Sequence, residues 1–221
     1  MPPVEEVGFF ETFWNGVLAT SPLEWTAVLT GIAYVVLASY RSIWCWVFAF
    51  VSSSIYVFIC FNYGLFIESV LQLFYVAMAI VGWVSWNKSE NKVKPVGEDL
   101  LDSAMDQKKI LIHTWGWEMH VMNVIASGLL AFAVGWIFNN FTNQANPYMD
   151  AFTTVFSLVA TFMVTLRVLE NWIYWVMIDL VSIFLYSSRE LYLSSVLYLL
   201  FTILAVVGFV AWLKEYKAQR A

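Results

Sequence analysis

The amino-acid sequence predicts an all-α integral membrane protein with seven transmembrane helices set out as 3+1+3, the two triplets being parallel repeats. Three observations carry this. Of 221 residues, 61% are hydrophobic and only 12% charged, against roughly 45–50% and about 25% in soluble domains. Seven apolar stretches follow one another, most of them with very short polar breaks. The first three stretches match the last three at a constant offset of 126 residues.

The elements run in order as follows. Residues 7–20 form a short surface helix whose apolar part is Phe9, Phe10, Phe13 and Trp14. They are too few to span, since about 20 residues are needed to cross a core of about 30 Å. The acidic start (Glu5, Glu6, Glu11) is wrong for a cleavable signal, which needs a basic leader. Residues 1–22 are therefore an N-terminal surface segment. Spans follow at 23–40, 43–61 and 65–86, joined by Arg41-Ser42 and Asn62-Tyr63-Gly64, turns so short that neighbours must be antiparallel. The one long polar segment is 87–118. It begins with the charged loop 87–109, and its stretch 110–118 is expected along the membrane surface. A lone linking helix covers 119–138. Spans at 151–167, 171–188 and 191–213 form the second bundle, before a tail at 214–221.

The offset of 126 pairs 24–86 with 150–212 without a gap. Arg41 meets Arg167, Trp46 meets Trp172, Phe58 meets Phe184 and Leu65 meets Leu191. Ser69-Val70-Leu71 meets Ser195-Val196-Leu197, and Gly82 and Trp86 meet Gly208 and Trp212. Because the first helices of the two triplets are four crossings apart, both enter from one side. The repeats are then related by an axis along the membrane normal, a design that the sugar-transporting SWEET proteins share.

Basic residues set the orientation. Arg41, Lys88, Lys92, Lys94, Lys108, Lys109, Arg167, Lys214, Lys217 and Arg220 fall on one side, and only Arg189 on the other. The N-terminus is expected outside and the C-terminus in the cytoplasm. Trp25, Trp83, Trp86 and Trp212 near helix ends read as interfacial belts.

Polar groups within spans are costly and point to function. Asp179 lies mid-helix with no basic neighbour in sequence. It reads as a counter-charge for a cationic solute or a coupled proton, the plainer alternative being a protonated or hydrogen-bonded structural acid. Trp172, Trp175 and Asp179, spaced i, i+3 and i+7, share a helix face. Two indoles and a carboxylate suit a flat cationic ring, although Trp172 equally suits an interfacial place. The matching positions in the first repeat are Trp46, Ala49 and Ser53. Gln72 and Tyr75, on the third span, offer a two-way hydrogen-bonding amide and a hydroxyl. Asn123 and Ser127 share a face of the linking helix. Any of these could instead serve helix packing, where one hydrogen bond contributes roughly 0.6 kcal/mol. Ser52-Ser53-Ser54 reads as a close-packing strip. Arg41 and Arg167 read as cytoplasmic anchors, Glu170 being placed to pair with Arg167.

Other chemistry is absent from the sequence. There is no HExxH, P-loop or Gly-rich dinucleotide turn, and no basic patch for nucleic acid. His113 and His120 read as interfacial. Cys45 and Cys60 sit on one helix too far apart to bond. No cofactor, metal or enzymatic activity is expected.

The segment Glu170-Asn171-Trp172-Ile173-Tyr174-Trp175, with Asp179 beyond it, resembles the WxxW signature of the PnuC family, bacterial transporters of nicotinamide riboside with thiamine and riboflavin relatives. The resemblance extends to size, helix number, the 3+1+3 arrangement and the charged loop. It implies that Trp172 and Trp175 belong to the solute region, with Asn171 beside them, and that amide side chains hold the nicotinamide group, for which Gln72 and Asn123 are the candidates. It also implies facilitated diffusion, trapping by a separate cytoplasmic kinase, a homotrimer, and residence in the bacterial inner membrane. Thiamine, also a flat cation, riboflavin, and a sugar of the SWEET type stand as alternative solutes.

Overall fold

The structure, a computed structural model, describes residues 8–63, 66–90, 111–142 and 146–220. Leu65 and the lysines at 92, 94, 108 and 109, used above for the repeat and the charge skew, lie outside them. Eight helices are found among the described residues: α1 (Phe9–Ala19), α2 (Pro22–Ser39), α3 (Cys45–Asn62), α4 (Phe66–Glu90), α5 (Trp117–Phe141), α6 (Pro147–Thr165), α7 (Asn171–Ser187) and α8 (Tyr192–Ala218). Six of them, α2 to α6 and α8, are long and apolar enough to cross a bilayer. The seventh expected span, α7, has 17 residues, or about 25 Å at ~1.5 Å per residue. This is an all-α, multi-span membrane fold.

Helix ends follow from local chemistry. Ser21 caps α2: its hydroxyl accepts from Glu24 N–H while Ser21 N–H donates to the Glu24 carboxylate, with Pro22 as the first helical residue. Pro147 starts α6 in the same position. α2 ends where Arg41 turns left-handed (φ 59°), with Arg41 N–H bonded to Ala38 C=O and Ser42 N–H to Leu37 C=O. α6 ends identically: Arg167 has φ 59°, its N–H donates to Val164 C=O, and Val168 N–H donates to Met163 C=O. This is the Schellman arrangement, usually built on glycine.

α2, α3 and α4 pack in sequence, as do α6, α7 and α8; α2 meets α8 and α4 meets α6 across the molecule, while α5 packs along α6. Small residues permit close approach. The Ser52 hydroxyl donates to Ala27 C=O at 2.8 Å and lies against Gly31, so Ser52 serves the packing of α3 on α2. α1 runs beside the start of α8, with Phe9 edge-on to Tyr192 and Gly16 against Leu193. It buries no residue and leaves Phe10 83% exposed.

The core gathers where the two Arg turns lie. Trp46 stands edge-on to Trp86 (5.3 Å, 87°), Trp172 stands edge-on to Trp212 (5.5 Å, 86°), and Trp86 and Trp212 are 6.2 Å apart. The Trp46 ring lies on Gly82 and the Trp172 ring on Gly208. Trp86 donates its indole N–H to Val164 C=O (3.3 Å), and Trp212 donates to Ala38 C=O (3.0 Å). Both indoles are 0% exposed. This corrects the expectation that Trp86 and Trp212 belong to an interfacial belt: each N–H finds a helix-end carbonyl inside the protein, so neither needs the headgroups.

One further expectation changes, and the segment before α5 gains a partner. Residues 111–116 are extended, and His113 pairs with the α6–α7 turn through His113 N–H to Arg167 C=O and Leu169 N–H to His113 C=O, which buries Ile112 in the tryptophan core. Glu170 does not pair with Arg167. Its carboxylate accepts from Trp115 N–H and faces His120, while the Arg167 guanidinium reaches Ser85 C=O. Arg41 pairs with Glu215 on α8 at 3.3 Å.

Candidate functional site

α7 carries the expected face, and its residues divide by depth. Asn171, the first residue of α7, is wholly buried; its amide N–H bonds Val168 C=O at 2.6 Å, tying down the preceding turn, and its Oδ1 is unpartnered. Trp172 is buried between Gly208 and Trp212, with its indole N–H unpartnered. Trp46 on α3 is placed alike, its N–H also unpartnered. A solute could reach the face of either ring only if α8 or α4 moved away.

Trp175, one turn further, is half-buried and touches both the tryptophan core and a second cluster of Phe156, Ala160 and Ile178. Asp179 follows, 3% exposed, with no hydrogen bond or ion pair to any described residue. A buried carboxylate without a partner is expensive in a membrane domain, so a cation or a proton must answer it. Tyr198 of α8 lies near Asp179, stacked on Tyr186 at 5.1 Å, and Tyr75 of α4 is close to Tyr198. The structure therefore brings Asp179 and Tyr75 into one neighbourhood through Tyr198.

Asn123 enters from α5. Its amide N–H donates to the Tyr174 hydroxyl (3.5 Å) and its Oδ1 accepts from Ser127 (3.0 Å). Tyr174, inside the WxxW segment, lies beside Phe156 and also meets His120 Nδ1 at 3.3 Å. Gln72 is half-buried on α4 and Ser53 is buried on α3; neither makes a side-chain hydrogen bond among the described residues. Sequence reasoning passed over Tyr174 and Tyr198 and read His120 as interfacial. The signal for Tyr174 was present, since it stands between the two motif tryptophans.

A shallow groove on the outer side of α5 is lined by Trp117, Val121, Met122, Ile125 and Leu129, with Glu118 at its edge. It lacks the convergent polar groups that a solute site needs. Among the described residues no cluster of His, Cys, Asp and Glu could hold a metal ion.

Comparison with known proteins shows what the chain is similar to. The family model described as nicotinamide mononucleotide transporter matches residues 21–214. The nicotinamide riboside transporter PnuC of Escherichia coli (strain K12) is 24% identical over 207 residues, covering 87% of this chain and 85% of that protein. The riboflavin/roseoflavin transporter RibM of Streptomyces davaonensis is 24% identical over 185 residues, covering 83% and 81%. The crystal structure of the vitamin B3 transporter PnuC superposes with a TM-score of 0.69 at 23% identity, covering 96% of this chain and 91% of that one.

Proposed function

We propose a solute and a route for this chain, which belongs to the PnuC family of nicotinamide riboside transporters. It is a membrane transporter and not an enzyme, and its route is facilitated diffusion. The proposed solute is nicotinamide riboside, trapped after entry by a separate phosphorylating enzyme. The observation that carries this is Asp179, a buried and unpartnered carboxylate one turn beyond the half-buried Trp175. A pyridinium ring needs both: an indole to stack on and a negative charge to offset its own. Asn123 and Gln72 supply amides for the carboxamide. Trp172, Trp46, Asn171, Tyr75 and Ser53 complete the proposed solute region.

The proposed mechanism is alternating access, with α2–α4 rocking against α6–α8 as parallel repeats and α5 as the linking helix. Contacts recurring at the offset of 126 support this reading: the two Arg turns, the two Trp–Gly packings and the two indole–carbonyl bonds. α7 serves as the seventh crossing. The skew of basic residues supports a cytoplasmic C-terminus. A homotrimer in the bacterial inner membrane completes the proposal.

Riboflavin is the second reading, favoured by the likeness to RibM, 24% identical over 185 residues. The deciding experiment is calorimetry of nicotinamide riboside, thiamine and riboflavin on the purified protein, repeated with Trp172→Ala and Trp175→Ala. Binding of the riboside alone, lost in at least one variant, supports the proposal. Binding of riboflavin alone transfers the assignment to the neutral, larger ring.

A further inference from the structure

A chain of polar groups runs from the α6–α7 turn along α5. Glu170 Oε2 faces His120 Nε2 at 3.8 Å, His120 Nδ1 meets the Tyr174 hydroxyl at 3.3 Å, Tyr174 meets Asn123 Nδ2 at 3.5 Å, and Asn123 Oδ1 meets Ser127 at 3.0 Å. Its direction follows from donor chemistry. Nε2, which makes no hydrogen bond, faces the Glu170 carboxylate, and a carboxylate only accepts, so the tautomer with its proton on Nε2 suits this setting. In that tautomer Nδ1 accepts, so Tyr174 donates to it. The Tyr174 oxygen is left to accept from Asn123, whose carbonyl oxygen accepts from Ser127. Trp115 holds both ends of the start of the chain, its N–H on Glu170 and its ring 5.7 Å from that of His120.

We propose that His120, set by Glu170, is a positioning residue for solute recognition: through Tyr174 it fixes which way the Asn123 amide points. An amide held at both atoms keeps one N–H and one lone pair free. That pair complements a carboxamide, which also offers one acceptor and one donor. It does not complement a carboxylate, which would set oxygen against oxygen. The inference rests on the proposed role of Asn123 and adds what selects the amide over the acid.

The test is binding of nicotinamide riboside and of its carboxylate analogue to the purified full chain, with His120→Ala, Tyr174→Phe and His120→Asn. His120→Ala and Tyr174→Phe release the Asn123 amide, so the preference for carboxamide over carboxylate falls about tenfold, since discrimination by hydrogen bonds needs donors and acceptors held in place. His120→Asn keeps an acceptor near the Nδ1 position and retains most of the preference. Equal weakening of both ligands, with the preference intact in His120→Ala and Tyr174→Phe, overturns the positioning role and leaves the transporter assignment standing. If the unaltered chain binds neither riboside, the proposed solute falls and this inference with it.

Discussion

Trp86 and Trp212 exchange hydrogen bonds across the molecule: each indole N–H reaches the carbonyl of a residue in the other three-helix group, Val164 and Ala38 respectively. Those carbonyls also accept the Arg167 and Arg41 N–H groups that close the helix turns. One carbonyl thus ends a helix and clasps the opposite group. Trp86→Phe and Trp212→Phe each remove one bond while leaving the carbonyl satisfied, so each is expected to cost about 0.5–1.5 kcal/mol. Thermal unfolding in detergent should show similar losses for the two, and a cycle with the double variant should reveal coupling through their 6.2 Å ring contact.

Gly82 and Gly208 admit the ring faces of Trp46 and Trp172. A Cβ added at Gly82 would run into the Trp46 ring, and one at Gly208 would come within 2.7 Å of Trp172. Either alanine substitution overpacks the helix pair, at about 1–3 kcal/mol. Reduced melting temperature with unchanged helix content is the expected result; a neutral Gly208→Ala would mean that the indole has room to shift.

Arg41 and Arg167 hold a left-handed backbone that costs an ordinary residue about 1–2 kcal/mol. Arg41→Gly relieves that cost but loses a partly exposed ion pair with Glu215, worth about 0–1 kcal/mol. The net expectation is a neutral or slightly stabilised protein, whereas Arg41→Val, which keeps the strain and loses the pair, should destabilise it. Melting temperatures of the two variants, compared directly, decide the matter.

Partial desolvation, with Arg167 nearby, pushes the largely exposed His113 imidazole below its ordinary value. Docking of 111–116 on the α6–α7 turn is therefore undiminished above the undocked value of about 6.5. It weakens as pH falls from there through the lowered docked value, because the released ring takes up a proton that the docked ring resists. Hydrogen exchange at the His113 and Leu169 amides should speed up between neutral and acid pH. His113→Gln should remove the pH dependence.

Asp179→Asn keeps the shape and removes the charge. If Asp179 offsets a pyridinium, affinity for nicotinamide riboside should fall at least about tenfold, which is ~1.4 kcal/mol, and affinity for a neutral analogue should not. Calorimetry with both ligands distinguishes a counter-charge from a structural acid, for which the two would change together.

The helices were legible because a span needs a run of apolar residues, and the seven stretches fall within a few residues of α2 to α8. α4 and α8 outlast their apolar runs, reaching Glu90 and Ala218, since a helix can continue past the hydrocarbon on polar residues such as Asn87-Lys88. Tertiary partners were not legible. A tryptophan at a helix end reads the same whether headgroups or a distant carbonyl receive its N–H, and Trp86 was read the wrong way. Residues 111–116 carry no periodicity that reveals pairing with a turn more than fifty positions away. At the site, the face of α7 could be read from spacing, but the link from Asn123 to His120 passes through Tyr174 and exists only once α5, packed along α6, comes within side-chain reach of α7.

The reciprocal indole bonds also bear on ancestry. A lone three-helix unit would leave its last tryptophan with no carbonyl to meet, so a second copy would complete it. Such a unit would meet its missing carbonyl only on a copy of itself, and α5 is where a fusion of two copies would be joined.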